Sequence, residues 1–322
     1  MNVSLALGGG GTKGLAHIGV IDFLEKAGLH IAAVAGTSIG GLVGAVYSAG
    51  LSPVEILTMV ENLPPARLYA RKPGDGPSLL GYQGLAELLT IVLEEKEFKD
   101  LKIPFACTAV DLHTAREIYM TSGRVKDAAL ATMAIPGVFP PMSLAGAELI
   151  DGGVLDPVPV RLARLLAPNL PVIAVALSPE LAAWDTLPQF NITPPVPLPI
   201  PSPIIESLAR MRVAQALHIF VQSIDITARM LTELRLEVDR PEVIIRPEVH
   251  QYGMLDQIDP HILYRAGLQA AQDALPHIRR HLSWTRTVYR ILRRPSSRKT
   301  EAEKEHNSIQ SLLKRLGNVD DS

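Results

Sequence analysis

Val34-Ala35-Gly36-Thr37-Ser38-Ile39-Gly40-Gly41 is the stretch on which the fold turns. The apolar run 31–35 leading into it reads as a buried strand, and the run 41–47 leaving it reads as the start of a helix. Between them, Gly36-Thr37-Ser38-Ile39-Gly40 spells Gly-x-Ser-x-Gly. A serine on so sharp a strand-to-helix turn has strained dihedrals, and glycines two residues to either side let the backbone double back without a Cβ clash. Such a turn lifts the hydroxyl above the sheet edge and sets its neighbours' amides at a helix N-terminus, where negative charge is stabilised. Five-residue patterns of this kind also occur as ordinary Gly/Ser turns, so the rest of the chain decides between a turn and a nucleophile.

One element upstream, residues 3–7 read as the first strand, which runs into Gly8-Gly9-Gly10-Gly11-Thr12-Lys13-Gly14. A helix follows with Leu15, Ile18, Val20, Phe23 and Leu24 on its apolar side and Gly28 as its stop. Strand, glycine loop, helix and strand make a βαβ opening, which implies a parallel sheet. Three anion-binding readings compete for the loop. Gly9-x-Gly11-x-x-Gly14 fits a dinucleotide fingerprint, but run 31–35 offers no acidic residue for the ribose. A P-loop needs Gly-Lys-Ser/Thr, whereas the order here is Thr12-Lys13-Gly14. An oxyanion hole needs only converging backbone N–H groups, with Lys13 adding positive charge or standing exposed in the first turn. The oxyanion reading is preferred because a candidate nucleophile follows on the next strand.

Downstream, 103–110 and 117–121 read as strands, separated by Asp111-Leu112-His113-Thr114. Residues 125–133 read as a helix that halts at Ala134-Ile135-Pro136-Gly137-Val138-Phe139-Pro140-Pro141. The short strand 148–150 then delivers Asp151-Gly152-Gly153, which is either an Asp-Gly turn or an acid at a strand end with room for another backbone beside it.

Composition narrows the classes. The chain has 322 residues, 47% hydrophobic and only 20% charged, enough to fill a sizeable core. A net charge of −2 gives no reason to expect nucleic acid. The single cysteine, Cys107, excludes an intramolecular disulfide framework and a cysteine-based zinc site, and the histidines show no metal-ligand spacing. The first residues lack a basic n-region, and no apolar stretch reaches bilayer-spanning length, so a cytoplasmic protein is expected, at most peripheral to a membrane.

Taken together, four stretches resemble one family, the patatin-like phospholipases, in particular their compact bacterial members. The loop Gly9 to Gly14 followed by Leu15-Ala16-His17-Ile18-Gly19-Val20 is similar to the family's glycine loop, and Gly36-Thr37-Ser38-Ile39-Gly40 to its Gly-x-Ser-x-Gly elbow. The proline-rich run 134–141 and Asp151-Gly152-Gly153 resemble its approach to the second catalytic strand and its Asp-Gly-Ala/Gly motif. Lys13 stands where many members carry arginine, and Thr132 where serine is frequent. The resemblance implies a mainly parallel sheet between helices and lipid acyl ester hydrolysis without metal or organic cofactor. It also implies a Ser–Asp dyad: Ser38 the nucleophile, Asp151 the proton acceptor, and an oxyanion hole from the amides of Gly10, Gly11 and Ile39. A Ser38–Asp151–histidine triad, with His250 or His261 as the third member, is the rival arrangement. A soluble carboxylesterase for small esters and a non-catalytic lipid-binding protein are the rival functions.

In the back half, 156–166 reads as a helix start and helix, 171–177 as a buried strand, 204–236 as one long helix covering the sheet, 243–245 as a strand and 260–282 as a helix. The proline-rich run 187–203 reads as a stiff apolar loop or lid. Residues 1–282 are therefore expected to form the catalytic domain and 283–322 a C-terminal appendage. Within 283–299 arginines interleave with Trp284, Val288, Ile291 and Leu292, which suits an interfacial helix on anionic lipid, a solvated tail or a helix docked on its own domain.

Overall fold

A computed structural model describes residues 1–62, 69–71, 78–180 and 204–281, the side chains of 204–218 excepted. The proline-rich run 187–203, the appendage 283–322 and most of the run 64–77 lie outside the described residues.

The described strands form one sheet: β1 (Asn2–Leu7), β2 (His30–Gly36), β3 (Phe105–Asp111), β4 (Arg116–Met120), β5 (Met142–Leu144), β6 (Ala147–Asp151), β7 (Val172–Val175) and β8 (Val243–Ile245). Their order is β5-β6-β3-β2-β1-β7-β8, with β4 beside β3. The centre is parallel, β3, β2, β1, β7 and β8 all running one way. Of these, β1, β2, β3 and β7 are buried along most of their length and read as continuous apolar runs. The end built from β4, β5 and β6 is antiparallel. Strand β5 was not foreseen. Met142-Ser143-Leu144 is too short to show a period, and its partner β6 is joined to it through Ala145 and Gly146, both at positive φ.

Helices α1 (Ala16–Lys26), α2 (Ile39–Ser48), α3 (Pro53–Glu61), α4 (Gln83–Leu93), α5 (Val125–Ala131), α6 (Val160–Leu166), α7 (Ile204–Asp239) and α8 (Pro260–His281) cover the two faces. Helix α1 stops before Gly28, which takes the left-handed conformation (φ 83°). Helix α3 opens on a capping box in which Ser52 Oγ accepts from the Glu55 N–H and the Glu55 carboxylate accepts from the Ser52 N–H. The larger core packs α1, α2, α4 and α5 on one face, and Cys107 lies inside it. The smaller core packs α6 and Leu236 of α7 on the other, so the long helix covers the sheet as expected.

One detail of the register positions everything that follows. β2 pairs with the first half of β3, ending with Gly36 beside Cys107. β6 pairs with the second half, ending with Asp151 beside Ala109. Because β4 runs along β3 from Cys107 to Asp111, it occupies the other edge. β2 and β6 therefore share one edge of β3 and end head to head, about 7 Å apart at the two-residue offset.

Candidate active site

Where β2 ends, the chain must leave the sheet, and Gly36 and Gly40 face each other so closely that a Cβ on Gly36 would enter the backbone of Gly40 and Gly41. Ser38 sits at the apex with φ 55° and ψ −127°, a conformation that costs a non-glycine residue about 1–3 kcal/mol. Three threonines hold it there. The Ser38 N–H donates to Thr132 Oγ1 at 2.9 Å. Thr37 Oγ1 donates to the Asp156 carbonyl at 2.8 Å and lies 2.7 Å from Thr108 Oγ1. Since the Thr37 proton is committed to Asp156, Thr108 is the donor to Thr37. The sequence reading noted Thr132 only as a departure from a pattern and missed Thr37 and Thr108, because nothing in residue type or spacing marks a buried threonine as a brace.

Asp151 arrives at the end of β6 and is buried beside Ser38. Its carboxyl accepts the Gly153 N–H at 2.7 Å and lines the same cleft as the Ser38 side chain. Burial pushes the Asp151 carboxyl up to about 6, against the downward pull of the Ser38 side chain and the Gly153 N–H. Gly152 packs on Thr108 with no room for a side chain, which ties the Asp151 turn to β3.

The glycine loop passes over the same place. Gly9 donates to the Pro157 carbonyl and Thr12 to the Met254 carbonyl, both at 2.9 Å. The amides of Gly10 and Gly11, between them, have no acceptor among the described residues. Gly11 takes φ 60°, and a Cβ there would collide with the Met254 carbonyl. Gly14 packs directly on Ile39, joining the loop to the start of α2. His17 anchors the loop from below: fully buried, its Nε2–H donates to the Gly8 carbonyl at 2.7 Å, and burial lowers its imidazole to about 4, so the ring is neutral.

Gly9, Gly10, Gly11, Ser38, Asp151 and Gly153 thus line one cleft of about 630 Å³, open solvent at its mouth included. Helix α7 forms its opposite wall through Ile224, Asp225, Ala228, Arg229 and Thr232, which the sequence reading had taken only as part of a cover. Lys13 is 3% exposed and also lines the cleft, which excludes the reading of an exposed first-turn lysine. His250 and His261 do not line it, and His261 Nε2 instead lies 2.8 Å from Glu61 Oε1.

Residues 5–164 match the family model "Patatin-like phospholipase". An NTE family protein of Mycobacterium tuberculosis is 33% identical over 199 residues, covering 59% of this chain and 53% of that protein. A lysophospholipase nte1 of Emericella nidulans is 26% identical over 301 residues, covering 86% of this chain and 18% of the fungal protein. The chain thus spans about half the length of the mycobacterial relative and under a fifth of the fungal one. Among solved structures, VipD from Legionella pneumophila matches with a TM-score of 0.46 at 13% identity, over 85% of this chain and 66% of that one.

Proposed function

The chain belongs, through residues 5–164, to the patatin-like phospholipases, and on that premise we propose that it hydrolyses lipid acyl esters with a Ser38–Asp151 dyad. Asp151 accepts the Ser38 proton as Oγ attacks the ester carbonyl, the tetrahedral oxyanion is met by the N–H groups of Gly10, Gly11 and Ile39, and Asp151 returns the proton to the departing alcohol. Water, deprotonated by the same carboxylate, then releases the acid from the acyl-serine. The Ser38 N–H is occupied by Thr132, so it takes no part in the oxyanion hole.

The single observation that carries this reading is the neighbour of Ser38: the buried Asp151 carboxyl lines the same cleft and interacts with the Ser38 side chain. Burial also meets the usual objection to an aspartate as base, since a carboxyl raised to about 6 is a better proton acceptor than a solvated one near 4 and stays ionised at neutral pH. Lipid rather than a small ester is supported by α7. Its outer side exposes Ile219, Phe220, Ile226, Met230, Leu234 and Val238, while its inner side walls the cleft. A surface of this kind suits a lipid aggregate delivering single molecules to the cleft beside it.

The test pairs covalent labelling with two variants. A fluorophosphonate should label Ser38 in the folded wild type. Hydrolysis of a long-chain lysophospholipid should fall by a factor of about 10³ or more in Asp151→Asn and stay near wild type in His250→Ala. Loss in His250→Ala with retention in Asp151→Asn would replace the dyad by a triad, and a folded wild type without labelling or turnover would favour a lipid-binding protein.

A further inference from the structure

Asp156 carries a carboxyl that the dyad chemistry does not use, in a place where a carboxylate is hard to keep. The residue is fully buried, and neither Oδ1 nor Oδ2 has a hydrogen-bond partner among the described residues. Glu117 Oε1 is buried and lacks one as well. The two side chains share one face of the sheet. Thr108 pairs with Tyr119 and Val110 with Glu117 along β3 and β4, so Thr108 and Glu117 project to the same side. Thr108 meets Thr37 on that side, and Thr37 donates to the Asp156 carbonyl. Arg235 of α7 closes the arrangement. Its Nε donates to the Leu155 carbonyl at 3.1 Å and its Nη2 to Glu117 Oε2 at 3.3 Å, so one guanidinium holds Glu117 against the chain at 155–156. Tyr119 of β4, Arg161 of α6 and Asp239 of α7 are the other ionisable groups around this cluster. Burial, followed by the charge of Glu117, holds the Asp156 carboxyl well above the usual carboxylate range. Two carboxylates that face one another with no N–H between them repel, whereas a single proton turns the pair into a strong O–H···O⁻ hydrogen bond.

We propose that Asp156 and Glu117 share one proton, donated from the Asp156 carboxyl to Glu117 Oε1, and that this buried acid pair positions the catalytic loops. The inference rests on the acyl-hydrolase reading and adds a positioning residue to it. Asp156 does not line the cleft and acts through its main chain. Its N–H, like that of Leu155, donates to the Gly152 carbonyl, within the turn that carries Asp151. Its carbonyl takes the Thr37 proton, one residue before Ser38. The next carbonyl, that of Pro157, accepts the Gly9 N–H. Base, nucleophile and glycine loop are therefore tied to one short segment, and the side-chain anchor of that segment is the proton on Asp156. An ionised Asp156 would drive the segment away from β4 or draw water beneath it, because a buried charge without donors is costly.

The experiment joins infrared spectroscopy to steady-state kinetics. The carbonyl stretch of a protonated carboxyl stands above the amide and carboxylate bands, and at pH 7 Asp151, at about 6, is largely ionised. Wild type should show such a band at pH 7. Asp156→Asn should lack it, and Glu117→Gln, which leaves Asp156 in place, should displace or abolish it. On a long-chain lysophospholipid, Asp156→Ala should lower kcat about tenfold with little change in KM. Asp156→Asn, whose amide donates to Glu117 in place of the proton, should restore most of that loss. Coincident spectra for wild type and Asp156→Asn would mean that Asp156 is ionised, which overturns the proposal. A wild-type kcat in Asp156→Ala, or a loss that Asp156→Asn fails to restore, overturns the positioning role. Should Asp156→Ala fail to fold by circular dichroism, the infrared comparison decides, and a band unaltered in Glu117→Gln is then the contrary result. A wild type that turns over no ester fails the hydrolase reading alone, since the band still reports the proton.

Discussion

A carboxylate that is to take a proton from serine must be ionised beforehand, yet Asp151 is held where ionisation is least favourable. Burial raises its carboxyl to about 6, and the Gly153 N–H and the Ser38 side chain recover only part of the lost hydration. Two outcomes follow with definite signs. Since the base is active when ionised, kcat/KM should fall as the pH drops through about 6, and a profile flat from pH 5 to 8 would remove Asp151 from that role. For stability the sign is the reverse of the ordinary aspartate. A carboxyl whose folded value lies above its unfolded value of 3.8 favours the fold while protonated, and that contribution is lost as the pH rises from about 4 through 6. At pH 7 the ionised group is therefore a liability. Asp151→Asn, which keeps an acceptor for Gly153, should unfold at higher urea than wild type, by on the order of 1–3 kcal/mol, while losing activity. Equal or lower stability in chemical denaturation would mean that the site is better hydrated than its burial implies.

At the scale of elements, the glycine loop is steered by a helix crossing far from it in sequence. α1 and α8 approach until a Cβ on Gly19 would strike the Tyr264 carbonyl and one on Gly267 would strike the Ala16 carbonyl. Tyr264 Oη also donates to Asp22 Oδ2 at 2.5 Å, locking the crossing. α1 carries both the loop before it and His17, which holds the Gly8 carbonyl. Gly267→Ala should therefore push the helices apart, costing about 1–3 kcal/mol in thermal or urea unfolding, and lower kcat more than it raises KM by displacing the Gly10 and Gly11 amides. Unchanged stability would show that α1 and α8 can slide. Local features of this kind were only half legible beforehand. The βαβ opening and the stop at Gly28 could be read because each depends on residues within a few positions of one another. The partner of Gly19 is almost 250 residues away, and a glycine in a helix announces only that something comes close, not what.

For the whole molecule, the decisive arrangement is the head-to-head ending of β2 and β6 on one edge of β3, which brings Ser38 and Asp151 together from strands running in opposite directions. Sequence motifs named both residues, but their meeting is a property of sheet order, and no local period encodes order. The same holds for α7. Its apolar positions could be read as a helix covering the sheet, yet which of them face the core, the cleft or water depends on where the helix lies. Leu236 went to the core, Ile224 and Ala228 to the cleft, and Ile226, Met230 and Leu234 to the outside. That outer face runs from Ile219 to Val238, roughly 29 Å along the axis at 1.5 Å per residue, and is interrupted chiefly by Ser223, Thr227 and Glu237. It carries little charge, so attraction to it should depend weakly on salt and strongly on apolar area. The triple variant Ile226→Ser, Met230→Ser, Leu234→Ser should lose about tenfold in rate on a lysophospholipid above its critical micelle concentration, since each buried side chain is worth about 1.5–3 kcal/mol at an apolar surface and only part of each is buried there. It should hydrolyse a short-chain ester below its critical concentration at the wild-type rate, because none of the three side chains lines the cleft. Equal loss on both substrates would instead make this face a support for the cleft wall, and equal retention on both would leave the lipid to reach Ser38 by another route.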